Sequence, residues 1–206
     1  MAKQYRGCSR LYYAIETEGE GGAVTYGTPK HLAPVKAVSR DIASDNEAVY
    51  ADNVVQQRTY GATSVTRTFD VTRIEPDVVA ELLGDTTLAV GEVNAHLTNP
   101  DGSSRPYIAI GYALHDGDVD KPCEIVWAYH CKVNSISKSA NTIDDGTGSE
   151  GQSVEIVNVA PKKAWSKTAK RNLDFVLPID ETNADKVETF FAQVVTPDNA
   201  SEVLAG

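Results

Sequence analysis

The stretch TSVTRTFDVTRIEPDVVAELLG, residues 63–84, changes its hydrophobic period from about two residues to about three and a half. In the first half, apolar residues alternate with threonine, serine and aspartate, which predicts a half-buried strand over 63–74. In the second half, Pro76 marks a helix start and Gly84 can take a left-handed cap. The sequence therefore predicts a strand that runs directly into a short helix at 76–83.

One face of the predicted strand is polar. Its members share short side chains that are hydroxylated or acidic: Ser64, Thr66, Thr68, Asp70 and Thr72. No residue on this face is a nucleophile with a partnered base, so the face is a surface and not a catalytic site. Arg67 and Arg73 fall on the apolar side, where they either reach a rim or pair with an acidic residue of a neighbouring subunit.

Outside this stretch, apolar residues also recur with a period of about two residues along most of the chain. Strands are predicted at 10–16, 34–42, 47–51, 63–74, 87–97, 106–115, 122–138, 152–160 and 172–179. A second helix is predicted at 183–195, with Pro197 beyond its end. The expected fold is mainly β, a β-sandwich or flattened barrel of antiparallel strands with a short flanking helix and a C-terminal helix. One domain, 1–206, is expected, with a flexible acidic loop at about 139–152.

Composition excludes several classes of function. The 206 residues include 19 basic and 29 acidic side chains, a formal net charge of −10, which disfavours non-specific binding to duplex DNA. The three cysteines show no disulfide framework, and no apolar run has the length of a membrane span or a signal peptide. The chain is expected to fold in a cytosol, without membrane insertion.

The candidate metal-binding motifs lack either the spacing or the residues that a metal site requires. Cys123 and Cys131 are eight residues apart, roughly 26 Å on a strand, so they cannot share a metal ion or a disulfide. His130 points to the opposite side of that strand and is expected to be solvated. The acidic run DGDVD at 116–120 lacks the glycine and glutamate of a calcium loop. We expect no enzyme activity, and no catalytic, cofactor-binding or metal-binding residues.

The segment 162–171, KKAWSKTAKR, holds five basic residues and no acidic one. As a nucleic-acid site it would place lysines on phosphates and use Trp165 for stacking. Because no second aromatic residue is interleaved, the favoured interpretation is a solvated segment, or one that pairs with an acidic neighbour.

Several segments, in a fixed order, resemble a known family. They are RLYYAIET, TYGTPKHLAPVKAVS, EAVYADN, TRTFDVTRIEPDVVAELLG, RPYIAIGYAL and IVWAYHCKV. This order is similar to the major tail protein, or tail tube protein, of bacteriophages with long, non-contractile tails. The resemblance covers the chain from about Arg10 to Lys138.

The resemblance implies a tail-tube fold and a structural virion protein. Its subunits would form hexameric rings that stack into a tube, the conduit for DNA ejection into the host. Its partners would be other copies of itself, the tape-measure protein and the tail terminator and tip proteins, with double-stranded DNA passing without specific binding. It would reside in the virion tail after assembly in the host cytoplasm. The alternatives are a β-rich decoration or adhesion module, and a secretion-system tube protein of the same fold.

Two surfaces are predicted to serve assembly. The segment at about 43–62 is too long for a tight turn, and we interpret it as a long loop or arm that contacts a neighbouring subunit or ring. Its candidate anchors are Tyr50, Val54, Val55, Arg58 and Tyr60. The alternative is a short strand and loop folded on its own domain. The lumen-facing candidates are Thr66, Thr68, Asp70 and Thr72 in an acidic channel wall, unless that face meets outside water.

Overall fold

Antiparallel strands make up most of the computed structural model, which describes residues 4–117, 121–140 and 151–205. The strands are Gly7–Glu18 (β1), Val24–Tyr26 (β2), Lys30–His31 (β3), Val35–Ala51 (β4), Val54–Val71 (β5), Thr86–Val90 (β6), Val93–Leu97 (β7), Ile108–His115 (β8), Glu124–Lys138 (β9), Gln152–Asn158 (β10) and Asp174–Pro178 (β11). The α-helices are Pro76–Leu83 (α1), Lys186–Ala192 (α2) and Ala200–Val203 (α3). The predicted fold class, mainly antiparallel β with short helices, is confirmed.

One large sheet organises the molecule. Its strands run in the order β2-β1-β8-β9-β10-β5-β4, with β3 beside β1 and β11 beside β9. Strands β6 and β7 form a separate two-stranded hairpin. Because β1 and β4 also contact each other, the large sheet curls around its inner face.

The two faces of the sheet carry different hydrophobic clusters. The inner cluster includes Phe69 and Val71 of β5 with Val79 and Leu82 of α1, so the predicted strand-to-helix corner buries its apolar stripe there. The outer cluster joins Trp127 on β9 to α2 and α3. The C-terminal helices therefore cover only the β1, β8, β9 and β11 part of the outer face. On the outer face of β10, β5 and β4, the described side chains are half-buried or exposed, and neither hydrophobic cluster includes them.

Several predicted boundaries are wrong. The strands expected at 34–42 and 47–51 are one strand, β4, because irregularities in its pairing with β5 absorb the break in alternation. The strand expected at 87–97 is the β6–β7 hairpin, which turns at Gly91 with a φ of 63°. The second helix is shorter than expected, and α3 was not predicted. None of the described helices is long and apolar enough to span a membrane.

His130 is buried, contrary to the prediction of a solvated side chain. Its φ of 49° interrupts β9, so Tyr129 faces the outer cluster and Cys131 faces the inner one. Its Nδ1 lies 2.7 Å from Oε1 of Glu16, and its ring stacks on Tyr107 at 3.9 Å between centroids. The backbone irregularity at His130 thus buries a side chain that was expected on the surface, and that side chain contributes to packing. The predicted acidic loop and the DGDVD run lie largely outside the described residues.

Candidate assembly surfaces

The predicted arm is a β-hairpin. The pairing of β10 with β5 stops at Val65, whereas β4 and β5 continue to pair as far as Ala51 and Val54. The turn residues Asp52 and Asn53 have φ values of 51° and 62°, as a two-residue type I′ turn requires, and Asp and Asn tolerate this conformation. The strands thus extend beyond the sheet as a paired projection, which we call the arm, residues 43–62.

The predicted interface residues all lie exposed on the arm: Tyr50, Val54, Val55, Arg58 and Tyr60. Cross-strand register pairs Tyr50 with Val55, Ala48 with Arg58, and Asn46 with Tyr60. Since opposed residues share a side of the ladder, Tyr50, Val55, Arg58 and Tyr60 form one surface, the tyrosine face. Val54 pairs with Ala51 and falls on the other side. The contact of these residues with another subunit stays a prediction.

The predicted lumen residues lie on the uncovered part of the large sheet. Each of these residues of β5 has one partner on β4 and one on β10. Thr66 lies between Asp41 and Val157, Thr68 lies between Ser39 and Glu155, and Asp70 lies between Ala37 and Ser153. We call this surface the polar wall: Ser39, Asp41, Thr66, Thr68, Asp70, Ser135, Ser137, Ser153 and Glu155. Thr72, the fourth predicted lumen residue, comes directly after the last residue of β5, at the end of this surface. That this surface lines a channel stays a prediction.

The charge of the polar wall is negative. Its three ionisable members are the carboxylates of Asp41, Asp70 and Glu155. Lys132 lies at its margin, opposite Val157, and donates to the Ser103 carbonyl at 2.9 Å. With Lys132 counted, three carboxylates face one ammonium group, and a surface with excess carboxylate repels DNA phosphates.

A third surface was not predicted. Register places Leu88, Val90, Val93 and Leu97 on one side of the β6–β7 hairpin, and each is between 53% and 67% exposed. The other side carries His96, whose Nε2 lies 2.9 Å from Oδ1 of Asp77 on α1. The hairpin therefore turns its polar side to its own chain and its apolar side outward. We call the outward side the apolar hairpin face.

Arg67 belongs to the interior, so the prediction that it reaches a rim or a neighbouring subunit is wrong. Its guanidinium is fully buried and contacts Asp174 at 2.6 Å and the Asn158 side-chain oxygen at 2.7 Å. The other carboxylate oxygen of Asp174 accepts from Arg40 at 2.6 Å. The charge of Arg67, on the apolar side of β5, is thus paired with Asp174 of β11, and its guanidinium also donates to Asn158 of β10, all within the same chain.

The basic segment 162–171 packs on its own chain. Lys162 pairs with Glu18 at 3.0 Å, as the favoured interpretation expected. Trp165 is buried against Tyr129 and donates its indole N–H to the Asn172 carbonyl at 3.1 Å. Its ring is therefore not free to stack on a base.

Two of the described thiols are poor nucleophiles. Burial raises the pKa of Cys8, and burial likewise raises the pKa of Cys131 well above its usual range. Both thiols are therefore protonated near neutral pH. Among residues 4–117, 121–140 and 151–205, no group of three or more His, Cys, Asp or Glu side chains is arranged to hold a metal ion.

A carboxylate fixes the strand-to-helix corner. Glu81 of α1 accepts from the Tyr13 hydroxyl at 2.6 Å and from the Lys30 ammonium at 2.6 Å and 2.9 Å. Burial acts to raise the pKa of Glu81, but the hydrogen bonds from Lys30 and Tyr13 outweigh burial and lower it. The ionised form of Glu81 therefore ties α1 to β1 and β3.

Two solved structures are similar in fold. One is the tube-terminating cap of the anti-feeding prophage, at 11% sequence identity and a TM-score of 0.47, covering 87% of this chain and 95% of that one. The other is from the sheath-tube complex of an extracellular contractile injection system, at 12% identity and a TM-score of 0.43, covering 83% and 90%. No protein-family model and no curated protein matches the chain. At these identities and TM-scores, neither structure establishes the function of this chain.

Proposed function

We propose that this protein is a structural subunit that polymerises into a tail tube. The arm is the observation that carries the proposal. It projects beyond the sheet with large apolar side chains exposed on both sides, and such concentrations of exposed apolar surface mark protein interfaces. An isolated two-stranded hairpin is only marginally stable in water, so a partner that covers the arm stabilises it.

In the proposed assembly, six copies close a ring and the rings stack into a tube of a long, non-contractile tail. The polar wall lines the channel, where hydroxyl groups and carboxylates let double-stranded DNA slide without retention. The tape-measure protein and the tail terminator and tip proteins are its other partners, and assembly takes place in the host cytoplasm. The role is structural, without catalysis.

Electron microscopy and multi-angle light scattering of the purified chain test this proposal. Rings or tubes are the expected result, with an interface of the order of 2,000 Å² per contact in a reconstruction. A monomer at high concentration, with neither rings nor tubes, refutes it. A closed trimer would instead support the decoration module.

A further inference from the structure

We propose that the tyrosine face of one copy docks on the apolar hairpin face of a second copy, head to tail. This inference rests on the proposed function, because it assigns a contact through which copies join. In this contact the apolar face of the β6–β7 hairpin is the surface that receives the arm.

Exposed large apolar side chains are concentrated on these two hairpins. Among the described residues, the arm carries five: Val49, Tyr50, Val54, Val55 and Tyr60. The apolar hairpin face carries four: Leu88, Val90, Val93 and Leu97. Single exposed apolar residues are ordinary, but clusters of this size indicate surfaces that become buried on association.

The two surfaces do not cover each other within one chain, because both are exposed there. Val55 precedes Val71 by sixteen residues along β5, about 50 Å when extended, and the β6–β7 hairpin follows beyond Val71. The arm and the hairpin thus lie toward opposite ends of β5. A contact between them must join two copies through different patches, and such a contact, when repeated, builds a closed ring or an open stack, depending on the rotation between the copies.

The two surfaces match in size. Strands β6 and β7 are five residues each, about 17 Å long. The tyrosine face extends over five residues of β4, from Asn46 to Tyr50, and is also two strands wide. One two-stranded ladder can therefore lie on the other with apolar side chains opposed.

Their charges are complementary. Arg58 is the charged member of the tyrosine face, and Glu92 lies at the turn of the β6–β7 hairpin, beside Val90 and Val93. Tyrosine and arginine are the residue types that most often dominate binding energy at interfaces. An apolar contact that includes one ion pair would fix both orientation and partner choice.

Charge reversal tests the docking. Arg58→Glu and Glu92→Arg each place like charges together, so each variant alone should raise the critical concentration for polymerisation by roughly tenfold or more, as measured by light scattering. The double variant restores the opposite pair and should polymerise like the original protein. An equimolar mixture of the two single variants should also co-assemble. In the mixture, the acidic arm of one variant meets the basic hairpin of the other, and the remaining arms and hairpins keep their original charges.

Glu47→Arg is the matched control, since Glu47 is exposed on the other side of the arm and undergoes the same change of charge as Glu92. It should leave the critical concentration unchanged, and circular dichroism should show that every variant is folded. The docking is overturned, and the proposed function stands, if the original protein polymerises and Glu92→Arg polymerises equally well. The same conclusion follows if neither the double variant nor the mixture of single variants recovers polymerisation. If the original protein stays monomeric, both are overturned.

Discussion

Arg67 and Asp174 form an ion pair within one chain, with 2.6 Å between Nη2 and Oδ1. The guanidinium has no exposed surface, and the carboxylate side chain is 8% exposed. The pair links β5 to β11, whose backbone pairs with β9. It therefore joins the strand that carries the polar wall to the helix-covered part of the molecule.

Asp174→Asn should destabilise the fold strongly. Removing the carboxylate charge leaves a buried guanidinium without a counter-charge, a change that costs about 3–5 kcal/mol. Arg40→Gln is the control, because Arg40 contacts the same carboxylate but is 40% exposed, and its loss should cost under about 1 kcal/mol. Urea unfolding of both variants measures the difference, and equal losses would contradict the assignment of Arg67 as the partner that matters.

Removing the arm should separate folding from assembly. Replacing residues 45–62 with Asn-Gly joins Ser44 to Thr63, which already pair, through a two-residue turn. The free energy of unfolding should change by less than about 1 kcal/mol, because exposed hairpin residues add little to the core. Light scattering should then show a folded subunit that no longer polymerises. Tubes from this variant would mean that the arm is not an assembly element, whereas Asp52→Gly, which keeps the hairpin, should polymerise normally.

The polar wall should be inside the tube. In assembled Asp70→Cys tubes, a small maleimide should react at position 70, while a maleimide on a large polymer that cannot enter the channel should not. Ser201 is exposed on α3, so Ser201→Cys supplies a contrasting site that is not part of the polar wall, and unsubstituted tubes give the background from the native cysteines. Reaction of position 70 with the large reagent would place the wall on the outside. Independently, a positive sum of charges facing the axis in a reconstruction would contradict the acidic channel.

Acid should loosen the strand-to-helix corner through Glu81. Its pKa is lower in the folded chain than in the unfolded one, so its contribution to stability is present above the unfolded pKa. That contribution is lost as pH falls from the unfolded pKa of a glutamate, about 4.3, through the lower folded pKa. Thermal unfolding of Glu81→Gln should therefore show a smaller fall in midpoint between pH 7 and pH 3 than the original protein. Glu188→Gln, which removes an exposed partner of Arg10, should alter this pH dependence less. An unchanged pH dependence in Glu81→Gln would contradict the role of Glu81.

Alternation predicted β10 and the part of β5 that pairs with it because each has one face on the inner hydrophobic cluster and one face toward polar surroundings. Strands β8 and β9 are buried on both faces, between the inner and the outer cluster. The corner at 63–84 could be predicted because Pro76 and Gly84 mark the ends of α1, and Gly84 does adopt a φ of 68°. The polar wall could also be found, since the polar residues of β5 keep a strict period of two up to Thr72.

The remaining features depend on contacts distant in sequence or on single backbone irregularities. The partners of Arg67 lie 91 and 107 residues away, so no local pattern shows that its charge is satisfied. The positive φ of His130 reverses the sides of β9 without any glycine to signal it. The β6–β7 hairpin was missed because apolar residues recur on both sides of Gly91-Glu92, although the alternation changes phase there, from Leu88 and Val90 to Val93 and Leu97, and Gly91-Glu92 is a turn signal.

The continuous pairing of β4 and β5 has a mechanical consequence. A force that pulls on a captured arm tip acts on both strands in the same direction, so their backbones carry it in tension, and the hydrogen bonds that join β5 to β10 at the base of the arm are loaded in shear, many at once. Those bonds would break one after another if β5 were peeled from β10 sideways. An arm held at its tip would therefore resist tension along its length, and a bending load is the one under which it would yield first.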